Sequence, residues 1–269
     1  MKLTYLGTAA AEGFPAVFCN CEYCREARLL GGKNLRSRSQ SLLNDDMLID
    51  FPPDTMHHLL MHGIEGHKIK HLLITHGHND HLYPGDLIRR RRPYCHDMQA
   101  ARLEILCSQG TADLINAKDS LIDIRIIKAF ETVELGDYSV TALPARHMPG
   151  GEPLIYVIRS DKTILYAHDT GYFLEEVFDY IRGAKLYFDM VSIDCTNVDI
   201  PIGDEGNHMG FPNDARLLKR LADMGAIDGK TIKYVNHFSH NGNPLQENLE
   251  KKAAEIGCSV AYDGCSVCI

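Results

Sequence analysis

Short apolar runs recur along the whole chain, broken by polar and glycine-containing stretches. The runs Leu3–Leu6, Ser41–Leu43, Met47–Asp50, Leu72–Thr75, Ile105–Ser108, Ile122–Ile127 and Ser139–Leu143 predict strands, as do Ile155–Arg159, Thr163–Ala167, Leu186–Phe188, Val191–Asp194, Thr231–Asn236 and Ser259–Tyr262. Turn residues at Asn44-Asp45-Asp46 and Asp161-Lys162 predict two hairpins. Helical spacing appears at Leu174–Ile181, Asn213–Met224 and Leu245–Ile256. Pro53–His62 has a proline-first start, and Gly110–Ala117 is a short addition. Asn213 reads as an N-cap, with Gly225 and Gly257 as helix stops. Strands dominate the first two-thirds and alternate with helices later. The pattern predicts one domain over residues 1–269, with two packed sheets and helices outside.

Composition narrows the class. At 269 residues, with 45% hydrophobic and 24% charged positions, the chain can bury a sizeable core. No stretch approaches the roughly 20 apolar residues of a membrane span. The segment Met1-Lys-Leu-Thr-Tyr-Leu-Gly7 reads as a first strand and not as a secretory signal. A net charge of −8 argues against nucleic acid as a partner, because no basic field steers toward phosphate backbones. Nine cysteines without an export signal suggest reduced thiols and a cytoplasmic home.

The densest chemistry is the H-x-H-x-D-H run His76-Gly-His78-Asn-Asp80-His81, directly after a predicted strand. Imidazoles and a carboxylate at this density suit a hydrolytic divalent ion such as Zn, Mn or Fe. Positions 76 and 78 point the same way and can grip one ion, while Asp80 and His81 face a second. His147, Asp169 and His237 each follow another strand-like run. Strand ends converge on one edge of a sandwich, so His76, His78 and His147 form one set. Asp80, His81 and His237 form the other, with Asp169 bridging ions about 3.5–4 Å apart. His168 projects to the opposite side of its strand and is assigned to packing. His57, His58, His62, His67, His71 and His96 lack this placement and read as surface or core residues.

In its motif order the chain resembles the metallo-β-lactamase superfamily: the strand-end Asp50, residues 76–81, then His147, Asp169 and His237. That resemblance implies an α/β fold, a four-layer α/β/β/α sandwich of two mixed sheets with helices outside. It also implies that Asp50 anchors the site from behind without ligating.

A second cluster, Cys19-Asn-Cys21-Glu-Tyr-Cys24, has C-x-C-x2-C geometry suited to structural zinc. Two candidates compete to close the tetrahedron. His240 shares the loop 236–242 with His237, and the other is the pair Cys265 and Cys268 beside an Asp-Gly turn. His240 is preferred because a chain terminus is a poor rigid support. Cys95, Cys107, Cys195 and Cys258 read as ordinary small residues.

The combination resembles the cyclic-phosphate phosphodiesterase branch of that superfamily, from bacterial phosphonate breakdown. Leu6-Gly-Thr-Ala, Gly13-Phe-Pro15 and the cysteine cluster also resemble the pyrroloquinoline quinone biosynthesis B proteins, in which the full catalytic motif is usually missing. The first resemblance implies structural zinc on Cys19, Cys21, Cys24 and His240 beside a two-metal centre. It implies too that His208, in Gly206-Asn-His208-Met-Gly210, protonates the leaving oxygen. Asp80 and Asp169 are expected to hydrogen-bond the attacking water as well as ligate.

The function expected is metal-dependent hydrolysis of a small phosphodiester, linear or cyclic, with a homodimer as one form of assembly. Alternatives are another ester, thioester, lactone, β-lactam or RNA 3′-end hydrolase of the same fold, or a non-catalytic cofactor-biosynthesis or carrier protein. The run Arg89–Arg92 is expected to lie on a solvated helix end, with cations at the helix C-terminus.

Overall fold

A computed structural model describes residues 1–118 and 120–269. The first sheet takes β1 (Lys2–Gly7), β2 (Gln40–Leu43), β3 (Met47–Ile49), β4 (His71–Leu73), β5 (Leu103–Cys107) and β6 (Ile122–Ile126). The second takes β7 (Thr132–Leu135), β8 (Tyr138–Pro144), β9 (Leu154–Arg159), β10 (Thr163–Ala167), β11 (Met190–Asp194), β12 (Ile232–Asn236) and β13 (Ser259–Val260). The C-terminal β14 (Ser266–Cys268) returns to the first sheet beside β1. The orders are β14-β1-β2-β3-β4-β5-β6 and β13-β12-β11-β10-β9-β8-β7. Both sheets are mixed: β3 to β6 run parallel, as do β10 to β13, and the other neighbours are antiparallel.

The uninterrupted apolar runs have a direct cause, since most central strands are buried on both faces. Successive residues alternate sides. Leu43, Ile49 and Leu73 pack inward against Val140, Tyr156, Ile158 and Tyr166 of the opposite sheet. Leu42, Leu48 and Leu72 turn outward to Leu82 and Leu87. Helices cover the outer faces: α1 (Glu22–Leu30), α2 (Thr55–Met61), α3 (Pro84–Leu87), α4 (Gln109–Ala112), α5 (Glu175–Gly183), α6 (Phe211–Asp223) and α7 (Gln246–Glu255). On the second sheet Phe178, Ile181, Leu217, Leu221 and Leu249 seal Val191, Ile193 and Val235. Each such side chain contributes about 1.5–3 kcal/mol of burial, which makes the strands a rigid mount. The layers are those of an α/β/β/α sandwich.

Several local expectations need correction. Leu186–Phe188 forms no strand; its apolar character comes from Phe188, fully buried and tied by its backbone N–H to the Ala226 carbonyl (2.8 Å). Asn213 is not an N-cap but lies inside α6, where Pro212 occupies the first turn and the Asn213 amide donates to the Ile202 carbonyl (3.2 Å). The α2 helix begins at Thr55, because Pro52 forms the preceding turn and its carbonyl accepts from Thr55 Oγ1 (2.7 Å). Helix α1 and the edge strands β7 and β14 were not legible.

Candidate metal centre

Six chemistry-bearing segments leave the C-terminal ends of β3, β4, β8, β10, β11 and β12 at one edge of the sandwich. Because β3 and β4 are parallel, Asp50 and the 76–81 loop emerge side by side. Parallel β10, β11 and β12 deliver Asp169, Asp194 and His237 likewise. Three of these turn back through left-handed backbone, with φ of 65° at Asp50, 55° at Asp169 and 67° at His237. Non-glycine residues rarely adopt that region, and such strain concentrates at functional sites.

Two donor sets result. His76, His78, His147 and Asp169 offer atoms within 4.8 Å of one another, and so do Asp80, His81, Asp169 and His237. Asp169 Oδ2 faces both: it lies 3.0 Å from His76 Nε2, 3.3 Å from His147 Nε2 and 3.1 Å from His81 Nε2.

The tautomers test whether cations fit here. His147 Nδ1 donates to the Asn207 carbonyl (3.2 Å), His81 Nδ1 to Asp50 Oδ2 (2.7 Å), and His237 Nδ1 to Thr196 Oγ1 (2.8 Å). Each neutral ring then turns a bare Nε2 inward. His81 Nε2 and His237 Nε2 stand 3.2 Å apart, while His78 Nδ1 is 2.9 Å from His76 Nε2 and 3.0 Å from His147 Nε2. Lone pairs so close repel one another unless a proton or a metal cation lies among them, and several such pairs converge here. The residues therefore fit two divalent ions.

Electrostatics agrees. Burial holds the His147 pKa down at about 4, with the neighbouring His76 and His208 adding to the fall and Asp169 opposing it. Burial opposes charge at His81, but Asp50, Asp169 and Asp80 outweigh it and hold that pKa high, and a bound cation would take the place of that proton. Burial likewise opposes ionisation of Asp80 and Asp169, yet the surrounding imidazoles keep both carboxyls below the usual range.

Behind these donors stand residues that orient them. Asp50 accepts from Thr75 N (2.8 Å) and Thr75 Oγ1 (2.9 Å) as well as from His81. Sequence reasoning missed Asp194, which accepts from Asp169 N, Thr196 N, Thr196 Oγ1 and Met209 N at 2.9–3.0 Å. The signal was available: Asp194 ends the run 191–194, the same strand-end placement that singled out His147, Asp169 and His237. His208 is brought into the same centre, its Nδ1 3.0 Å from Asp169 Oδ1 and 3.3 Å from Asp194 Oδ2. Burial disfavours its charge, but the Asp194 hydrogen bond and the two carboxylates raise its pKa to about 9.

Cys19, Cys21, Cys24 and His240 form a separate cluster, again within 4.8 Å. His240 Nδ1 lies 3.8 Å from both Cys21 Sγ and Cys24 Sγ. Glu12 pins the loop by accepting from Ser239 Oγ (2.6 Å) and His240 N (3.2 Å). Burial opposes thiolate formation at Cys21, but bonds from His240 and the neighbouring cysteines bring its pKa down to about 6. Three thiols and an imidazole suit tetrahedral zinc. Cys265 is buried in the inter-sheet core and Cys268 sits on β14 paired with Lys2, so the structure does not bring that pair to the cluster. The terminus is nonetheless a well-anchored edge strand, contrary to the reason first given against it.

His168 packs as expected, fully buried between Tyr166 and Tyr5 with its Nε2 2.7 Å from Ser192 Oγ. His58 is a core residue tied to the site at one remove: Nδ1 meets Gln40 Oε1 (2.6 Å), and Gln40 Nε2 donates to the Asp50 carbonyl (2.9 Å). Arg89–Arg92 lie beyond α3 and not on it, because the helix ends at Leu87. Among the described residues, no helix is long and apolar enough to cross a membrane.

The family model described as beta-lactamase superfamily domain matches residues 46–238. The coenzyme PQQ synthesis protein B of Bradyrhizobium diazoefficiens is 26% identical and aligns over 99% of this chain and 99% of its own length. Among solved structures, a diphosphatase from the PhnP family superposes with a TM-score of 0.76 at 21% identity, covering 99% of this chain and 96% of that one. Zn(2+)-bound PqqB from Methylobacterium extorquens gives a TM-score of 0.76 at 18% identity, with full coverage of both chains (100% each). At such identities the structural likeness shows the fold alone.

Proposed function

The chain belongs to the beta-lactamase superfamily, and from that premise we propose that it is a metal-dependent phosphodiesterase acting on small phosphodiesters. One observation carries the reading: two complete donor sets share the single oxygen Asp169 Oδ2. A shared carboxylate suits paired ions that clamp an in-line displacement at phosphorus. His76, His78 and His147 would hold one ion, Asp80, His81 and His237 the other, with Zn, Mn or Fe suited to such donors. When bound, the pair supplies Lewis acidity toward phosphoryl oxygens and acidifies water toward neutral pH.

The chain's own residues supply the rest. Asp50 and Thr196 fix the His81 and His237 rings from behind, so that only Nε2 faces inward. Asp80, 13% exposed against 2% for Asp169, is the carboxylate reachable by an attacking water, and it accepts a hydrogen bond from that water. His208 turns Nδ1 to Asp169 and Asp194, which leaves Nε2 to protonate the departing oxygen. Its raised pKa supports a protonated imidazole at neutral pH. Cys19, Cys21, Cys24 and His240 would hold a structural zinc apart from the reaction.

The test is a substrate panel run with the metal-loaded protein: cyclic ribose phosphates, cyclic nucleotides, bis-nitrophenyl phosphate, a thioester, a lactone and an RNA 3′ end. Turnover of the phosphodiesters alone, abolished by chelator and restored by Mn or Zn, is expected. Faster turnover of the thioester or lactone would refute the assignment. A second reading, a cofactor-synthesis protein without hydrolytic turnover, draws on the full-length likeness to coenzyme PQQ synthesis protein B. Ion counting separates the two, since the hydrolase requires both donor sets filled and the carrier only the cysteine site.

A further inference from the structure

Away from the metal centre, the outer face of the first sheet holds a cavity of about 450 Å3. Its floor is apolar, formed by Leu48, Leu72 and Leu103, with Ile69, Leu87 and Met98 around them. This size lies inside the range of about 300–1,000 Å3 for small-molecule sites, and a mostly apolar lining with few polar groups is their usual composition.

Its rim carries the arginine run that the hydrolytic site leaves unexplained. Arg89 and Arg90 line it, together with His67 and His96. The rim is pinned in place: Arg90 O accepts from Leu121 N (2.7 Å), Arg90 donates through one terminal nitrogen to the Ala100 carbonyl (2.5 Å), and Ala100 N donates to the His67 carbonyl (3.0 Å). One donor there, Arg90 Nε, is buried without a hydrogen-bond partner among the described residues. Buried N–H groups are normally paired, so an unfilled donor on a pocket rim calls for an acceptor. The acids nearby are already engaged: Asp86 with Arg89 at 3.4 Å, and Glu65 with Lys68 and His67.

We propose that this cavity is a binding site for a small amphipathic anion, its apolar chain on the leucine floor and its carboxylate or phosphate head on Arg90. Charge complementarity selects the head and the lining selects the tail. A guanidinium forks onto either anion. The site is independent of the hydrolytic reading, and its occupancy can be measured without any turnover.

Calorimetric titration of the full chain with decanoate, decyl phosphate, decanol and inorganic phosphate tests this. One-to-one saturable binding is expected for at least one decyl anion, and the better of the two identifies the head. Decanol should bind at least about tenfold more weakly, and inorganic phosphate should not saturate. Arg90→Gln should weaken the anion about tenfold, with Arg90→Lys recovering part of the loss. Met98→Trp, which intrudes on the cavity and leaves the rim in place, should weaken binding about tenfold. Equal affinity for decanol and decanoate would overturn the proposal. So would binding unchanged by Met98→Trp, or no saturation by either anion in a protein whose melting curve shows it folded.

Discussion

Asp50 Oδ2 lies 2.7 Å from His81 Nδ1, and both side chains are wholly buried. The contact fixes the tautomer of a ring whose other nitrogen faces Asp80, Asp169 and His237. Asp50 is itself held on several sides, by Thr75 through its carboxylate and by Gln40 through its carbonyl. Its backbone φ of 65° turns the chain into that position.

Asp50→Asn keeps the shape and tolerates the left-handed backbone, but it removes the charge behind His81. The expected outcome is a roughly 10–100-fold loss in affinity for one of two catalytic ions, with the fold retained. Competition against a chelator measures it. Wild-type affinity in the variant would show that the buried pair serves packing alone.

His208→Ala should lower kcat for alkyl leaving groups by roughly 10²–10⁴-fold while sparing nitrophenyl esters, whose leaving oxygen needs no proton. Asp194→Asn removes the charge beside the His208 ring and also loosens the Asp169 and Thr196 bonds, so it should reproduce part of that selectivity on top of a loss shared by both substrate classes. The measurement is the slope of rate against leaving-group pKa in each variant. Equal losses on both substrate classes would remove His208 as the acid.

Two kinds of signal made the site partly readable. The H-x-H-x-D-H run is local, and the strand-end rule led from it to His147, Asp169 and His237, which the fold does gather at one edge. The same rule applied evenly would have reached Asp194, but an acid that bonds backbone amides leaves no spacing motif. Strand runs buried on both faces, such as Thr163–Ala167, were legible from their continuous apolarity. The edge strands β7 and β14 were not: each is short and interrupts its apolar positions with exposed residues, Thr132 and Glu134 in one and Ser266 and Cys268 in the other. Leu186–Phe188 misled for the converse reason, since an apolar run can be buried without pairing into a sheet.

Cys21→Ser should cost one zinc ion per chain and lower the melting temperature, by roughly 2–4 °C for each kcal/mol lost. The cluster ties the 19–24 segment to the loop carrying both His240 and His237, so some activity should fall as well. Metal analysis beside calorimetry checks this. An unchanged zinc count together with unchanged melting would contradict a structural zinc.

Asp214, in the first turn of α6, is fully buried, and neither carboxylate oxygen has a hydrogen-bond partner among the described residues. Burial raises its pKa well above the usual carboxylate range; the Cys195 thiol opposes this and the charge of Asp194 adds to it. The sign follows from linkage. A raised folded-state pKa means the native chain holds a proton that the unfolded chain releases above about pH 4, so stability is full below that pH and declines as pH rises toward the folded value. Within that window each pH unit costs about 1.4 kcal/mol. Asp214→Asn removes the titration. The melting-temperature difference, variant minus wild type, should therefore grow more positive from pH 4.5 to pH 8. Parallel curves for the two proteins across that range would show that Asp214 ionises as readily in the native state as in the unfolded chain.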